Sequence, residues 1–112
     1  MTTPTIPNVP LPPGAVHADD WQPYEPPYRI VTGPTRVIGS YGVWAAAAQF
    51  ADGSIDDGSQ VEHPTVHVTL TGGRDDLTTA EARQLARALI AAADQFDEAL
   101  NAEGGDNTGV TR

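Results

Sequence analysis

The sequence predicts an α+β domain: a three-stranded antiparallel sheet, with room for a short fourth strand, packed by one long C-terminal helix. Three observations carry this. Residues 77–100 repeat apolar side chains at three- and four-residue steps, which is the period of an amphipathic helix. Residues 65–70 alternate apolar and polar side chains, which is the period of a half-wet strand. Glycine and proline punctuate the stretches between, at the spacing of short strands joined by turns.

The totals bound what such a domain can do. At 112 residues there is room for one core. Fifteen acidic against six basic residues give a net charge of −9, which argues against general affinity for nucleic-acid phosphates or an anionic membrane surface. With no cysteine, neither a disulfide framework nor a thiolate metal site can form. No apolar run reaches the roughly 18–20 residues of a membrane span, and no signal-peptide pattern is visible, so cytoplasm is the expected compartment.

In chain order, residues 1–27 hold eight of the ten prolines and read as an extended, disordered arm. Pro4, Pro7, Pro10 and Pro13 fall every third residue, so a polyproline-II helix would line them along one edge; a plain tether is the simpler reading. Trp21, Tyr24 and Tyr28 follow in acidic surroundings, and such aromatics anchor either to a partner or back onto the protein's own sheet. Tyr28–Thr32 and Thr35–Ile38 read as strand around Gly33-Pro34, and Gly39–Gly42 as a turn. Val43–Phe50 contains four alanines, yet it is short, uncapped and set between turns, so it reads as a strand with Trp44, Ala46, Ala48 and Phe50 on one face. Asp52-Gly53 marks a tight turn and Asp56–Ser59 a loop.

In the strand Thr65–Leu70, Val66, Val68 and Leu70 are expected to point inward, and Thr65, His67 and Thr69 outward. Thr78 and Glu81 form a capping box that opens the helix. Its apolar stripe is Ala82, Leu85, Ala86, Leu89, Ile90, Ala93, Phe96 and Leu100, and Gly104-Gly105 ends it. Residues 102–112 read as a disordered tail, which leaves 28–101 as the domain. A core that small buries only about 60–65% of its unfolded surface, so a homodimer through the open sheet face or an edge strand is a natural expectation.

Candidate chemistry is thin. His63 and His67 would stand about 13 Å apart along a strand, too far to share one metal. The acidic positions from Asp52 to Asp57 do not have the spacing of a calcium loop. No serine sits in a nucleophile elbow, and no glycine run forms a phosphate loop. No cofactor, no metal and no enzymatic activity are therefore expected. Arg74, Arg83 and Arg87 make a small cationic group that could meet an anion or simply a solvated face.

The segments Pro27–Val31, Gln49–Ile55, His63–Val68 and Leu77–Asp94 resemble a group of small hypothetical proteins of mycobacteria, other actinobacteria and their phages and prophages. The resemblance spans residues 21–101 and leaves the proline arm outside. It implies a phage or prophage origin and a strand at Val43–Phe50, but no catalytic residues, because that group has no established activity.

The reading that results is a non-enzymatic, acidic module that binds a host or phage protein through Trp21, Tyr24 and Tyr28 and through Thr65, His67 and Thr69. The competing reading is a nucleic-acid-associated regulator, antitoxin-like or a repressor accessory, using Arg74, Arg83 and Arg87. A third is an acidic decoy that mimics DNA.

Overall fold

The computed structural model describes residues 9–104. Five strands, β1 (His17–Ala18), β2 (Tyr28–Thr32), β3 (Arg36–Ile38), β4 (Tyr41–Phe50) and β5 (Thr65–Leu70), form one antiparallel sheet. Helices α1 (Thr79–Ala93) and α2 (Asp97–Gly104) follow.

The ten-residue β4 is the centre of the sheet. On one side it pairs with β5; on the other it pairs with both β2 and β3, and β1 adds to β2. Thr32 stands opposite Ala46 and Arg36 opposite Val43, so four steps on one strand meet three on the other. β2 and β3 are thus one strand broken by a single-residue bulge at Gly33–Thr35, where Pro34 has no N–H to give the ladder. The bulge reverses which side each later residue faces. It sends Arg36 to the helix side, where its Nη1 donates to Gln95 Oε1 at 3.2 Å.

The turn predicted over Gly39–Gly42 shortens to Gly39-Ser40, because Tyr41 and Gly42 already pair with Ile38 and Val37. Gly39 takes φ 61° at the first position of this two-residue connection, where a side chain would be strained. The Asp52-Gly53 turn is present, with φ 95° at Gly53.

Both helices cover the face of β4 that carries Val43, Ala45, Ala47 and Gln49. Val31, Val43, Ala45, Ala47, Ile55, Ala88, Ala92 and Phe96 form the buried core there. Alanines on β4 and on α1 belong to the same cluster, which lets helix and strand backbones approach closely. The capping box is realised: Glu81 N donates to Thr78 Oγ1 and Thr78 N donates to Glu81 Oε1, each at 3.0 Å.

Three expectations are corrected here. The sheet has five strands where three, with room for a short fourth, are expected, because β1 joins from the arm and the bulge divides one strand into β2 and β3. The buried stripe of α1 is Ala88 and Ala92, flanked by Leu85 and Leu89, while Ala82, Ala86, Ile90 and Ala93 are exposed. In a helix this rich in alanine, several stripes have nearly the same hydrophobicity, and packing against β4 selects among them. The predicted continuous helix is also interrupted at Asp94–Phe96, which turns the buried Phe96 into the core between α1 and α2. Val68 and Leu70 lie on the helix side as expected, yet each stays 48% exposed because β5 is an outer strand that the helices cover only in part.

The described part of the proline arm belongs to the fold. β1 extends the sheet, and Val9 and Pro10 are tied to β2 and β4 through a part-buried polar network. Gln49, 1% exposed, accepts from Arg29 Nε at 2.8 Å and donates to the carbonyls of Pro10 and Gly53 at 3.0 and 3.2 Å. Arg29 Nη2 donates to Val9 O at 2.8 Å, and its guanidinium lies 4.7 Å from the centroid of Trp21. Replacing Gln49 by leucine removes these bonds and leaves Arg29 and the Pro10 carbonyl short of partners. Q49L is expected to cost about 2–3 kcal/mol. Urea denaturation checks the cost, and faster amide exchange at Arg29 and at Ala15, whose N–H donates to the Pro12 carbonyl, checks the location. Pro4 and Pro7, and the tail from 105 on, lie outside the described residues; α2 itself runs through Gly104.

Candidate interaction surface

Paired residues in an antiparallel ladder share a side of the sheet. The side away from the helices is therefore built by His17 on β1, Tyr28, Ile30 and Thr32 on β2, Val37 on β3, Gly42 to Phe50 at even positions on β4, and Thr65, His67 and Thr69 on β5; the Asp19 carboxylate, 3.1 Å from His17 Nε2, lies at the β1 edge, so the part free of carboxylates is the β3–β5 half. None of these strand residues is Asp, Glu, Lys or Arg, in a chain of net charge −9. His67, Thr69 and Val37 are exposed, and the Trp44 ring lies stacked on the His67 ring with centroids 5.1 Å apart and planes 11° apart. Thr65 Oγ1 and His67 Nε2 lie 3.1 Å apart.

At the other end of the same side, Tyr28 stands opposite Phe50, and Tyr24 stacks on Tyr28 at 5.7 Å. Tyr24, Tyr28, Gln60 and Val61 border one shallow cleft, so the loop after β4 closes over this end of the sheet. The loop borders the half-buried Tyr28, while Tyr24 stays 61% exposed and the face is open at His67 and Thr69.

Thr65, His67 and Thr69 are thus brought together, as their alternation implied, and Tyr24 and Tyr28 share their side of the sheet. Trp21 does not. The Arg29 guanidinium lies over its ring, and the Arg29 partner Gln49 lies on the helix side, so Trp21 stands apart from the tyrosines. Trp44 and Val37 are the members the sequence did not single out. Only the register, which sets them beside His67 and Thr69, reveals them.

Arg83 and Arg87 stand one turn apart on α1, and Arg74 lies in the loop before it. The exposed Arg74 Nε donates to Asp76 Oδ1 at 3.0 Å, and Arg83 and Arg87 stand exposed on α1.

The loop that closes the tyrosine end is organised by Asp56, whose side chain is only 2% exposed. Its Oδ1 accepts from the N–H groups of Gly58 at 3.0 Å and Gln60 at 3.3 Å; its Oδ2 accepts from Glu62 at 2.9 Å and from Val61. Burial pushes the carboxyl up, and the four backbone donors outweigh it, so the group titrates below the ordinary carboxylate range. Asp52 is also held low, first by the Ser54 hydroxyl and then by the Ser54 N–H.

Asp56 and Gln49 are the buried polar side chains, and among the described residues no buried side-chain nitrogen or oxygen lacks a partner. Their bonding capacity is spent on backbone and on Arg29. Among the described residues no three His, Asp or Glu side chains converge as a metal ion would require. His63 packs against Gly58, while His67 stacks on Trp44. No helix among the described residues is long and apolar enough to cross a membrane.

The chain matches no protein-family model, and no curated protein or solved structure shows significant similarity to it.

Proposed function

We propose that the protein is a non-enzymatic binding module that docks another protein on the open, uncharged half of its sheet. One observation carries the reading: Trp44, His67, Thr69, Thr65 and Val37 form a face without formal charge on a strongly acidic molecule. An exposed surface that departs this far from the charge of its chain is suited to a partner that buries it, and a stacked Trp–His pair supplies a flat anchor. Tyr24, on the same side, extends the surface toward the cleft.

The resemblance to small actinobacterial and phage proteins makes a host or phage protein the partner class. Arg83 and Arg87 provide a control surface on the opposite layer.

Affinity capture from a nuclease-treated actinobacterial lysate tests the proposal. The double variant H67E/T69E puts charge on the face at exposed positions, and R83E/R87E alters the helix. Capture of one protein by the wild-type chain and by R83E/R87E, with loss of at least about tenfold in H67E/T69E, is the expected result. Capture unchanged by H67E/T69E overturns the assignment. Binding that needs intact nucleic acid, weakens steeply with salt and vanishes in R83E/R87E would instead favour the regulator reading.

A further inference from the structure

We propose that β5 is a self-pairing edge, through which two copies of this chain join their sheets in one antiparallel register centred on Val68.

In an antiparallel pair, alternate residues exchange both backbone bonds with one neighbour, and the residues between turn theirs the other way. On β4 the Ala45 carbonyl accepts from Gly33 N, on the β2–β3 side, while the Ala48 carbonyl accepts from Asp56 N, on the β5 side. Even-numbered residues of β4 thus serve β5, and their opposites there are Thr65, His67 and Thr69. It follows that Val66, Val68 and Leu70 turn their N–H and C=O groups outward. β5 pairs with β4 alone, so among the described residues nothing meets that edge.

Outer strands are normally protected by charge, proline, a bulge or extreme shortness. The Thr65–Leu70 strand carries no charge, no proline and no bulge, and its six residues pair in unbroken register with β4.

A twofold axis restricts how such an edge can meet itself. Both helix layers fall on one side of the joined sheet only if outward residues pair with outward residues. Centred on Val68, the register sets Val68 against Val68 and Val66 against Leu70. All three outward N–H groups and all three outward carbonyls of each copy then find partners. Centred on His67, it would set Leu70 against Pro64, which has no N–H to offer. The Val68 register also places the two half-exposed residues, Val68 and Leu70, against apolar partners.

The occupant is a second copy on grounds of charge and size. Two molecules of net charge −9 repel over most of their surface, and the uncharged β5 edge is where they can meet. A contact about 20 Å long, from six strand residues with the part of the helix layer that overlies β5, removes on the order of 600–800 Å² in total. That lies below the size of stable specific interfaces and corresponds to a weak, reversible dimer. The open faces of two copies would then run together, with His67 of each beside Thr69 of the other, although this pairing does not depend on any partner docking there.

Sedimentation equilibrium and single-cysteine crosslinking on the full chain test the proposal. Wild type is expected to behave as a reversible dimer of 11.8 kDa subunits. V68P removes an N–H that β4 does not use, and V68K brings two like charges together at the axis. Both are expected to weaken association at least about 100-fold while far-UV circular dichroism stays that of the wild type. Because the native chain has no cysteine, V68C isolates one pair. Hydrogen-bonded antiparallel partners lie about 5.5 Å apart at Cα, within disulfide range, so oxidised V68C is expected to link into a covalent dimer. T69C, displaced from the axis, is expected not to. A wild type that stays monomeric at millimolar concentration overturns the proposal. So does a dimer indifferent to V68K and V68P, or crosslinking as efficient in T69C as in V68C.

Discussion

Replacing Asp56 by alanine is expected to lower stability by about 3–4 kcal/mol, the largest single effect of any polar substitution in the domain. The side chain supplies the acceptor for four backbone N–H groups, at Gly58, Gln60, Val61 and Glu62, and its truncation removes all four bonds at once. D56N separates charge from shape. It keeps one carbonyl oxygen but turns an amide N–H₂ toward donors, so it is expected to cost nearly as much. Domains of this size hold on the order of 5–10 kcal/mol in all, so either variant brings the protein near its unfolding threshold. The pH dependence follows from the same bonds. The folded carboxyl titrates below its unfolded value of about 3.9, so its contribution is complete above that value and is lost as pH falls through the folded one. Urea denaturation at neutral pH and near pH 3 checks both points: wild type loses stability on acidification, and D56A loses measurably less. Asp52, held low by Ser54, leaves a residual slope in the variant.

Phe96→Ala is expected to cost about 3–4 kcal/mol by opening a cavity where α1 turns into α2. Phe96 is 2% exposed and shares the core with Ala88, Ala92, Val31 and Ile55. Nearly every neighbour on the helix and on β4 is an alanine, and small side chains cannot swing in to fill the space. α2 packs on the core through Leu100 and Ala99, next to this contact. The variant should therefore show a lower urea midpoint together with loss of helical ellipticity at 222 nm before the main transition. F96L, which restores most of the volume, should recover about half of the loss.

How much of this was legible in the sequence differs by element, and the differences have physical causes. The capping box at Thr78 and Glu81 was readable because it depends on two residues three apart and on nothing distant. The alanine-rich β4 was readable as strand because the turn signals around it left no length for a helix. The alternation in Thr65–Leu70 gave the correct sides, but not that Val68 and Leu70 would be half exposed, since that depends on where α1 lies over the sheet. The buried stripe of α1 was misplaced because its alanines do not distinguish one stripe from the next.

The arm was misjudged for a related reason. Its described residues are held through Gln49, a polar side chain in the middle of an apolar strand, and nothing local marks Gln49 as the partner of Arg29 and Pro10. The same holds for the candidate surface. Thr65, His67 and Thr69 declared themselves by period, whereas Trp44 and Val37 joined them only through register, and Trp21 proved to be engaged with Arg29. For Asp56, the Asp-Asp-Gly-Ser run announced a loop but not which carboxylate would be buried as its organiser.

The proposed docking requires the uncharged face to bury apolar and aromatic surface against a protein. Calorimetric titration of the captured partner against the wild-type chain, at two temperatures and at about 50 and about 300 mM salt, tests this most directly. The account predicts a clearly negative heat-capacity change and an affinity that varies by less than about threefold with salt. An affinity that falls about tenfold or more with salt, with no heat-capacity change, would place the binding on charged groups elsewhere and contradict it.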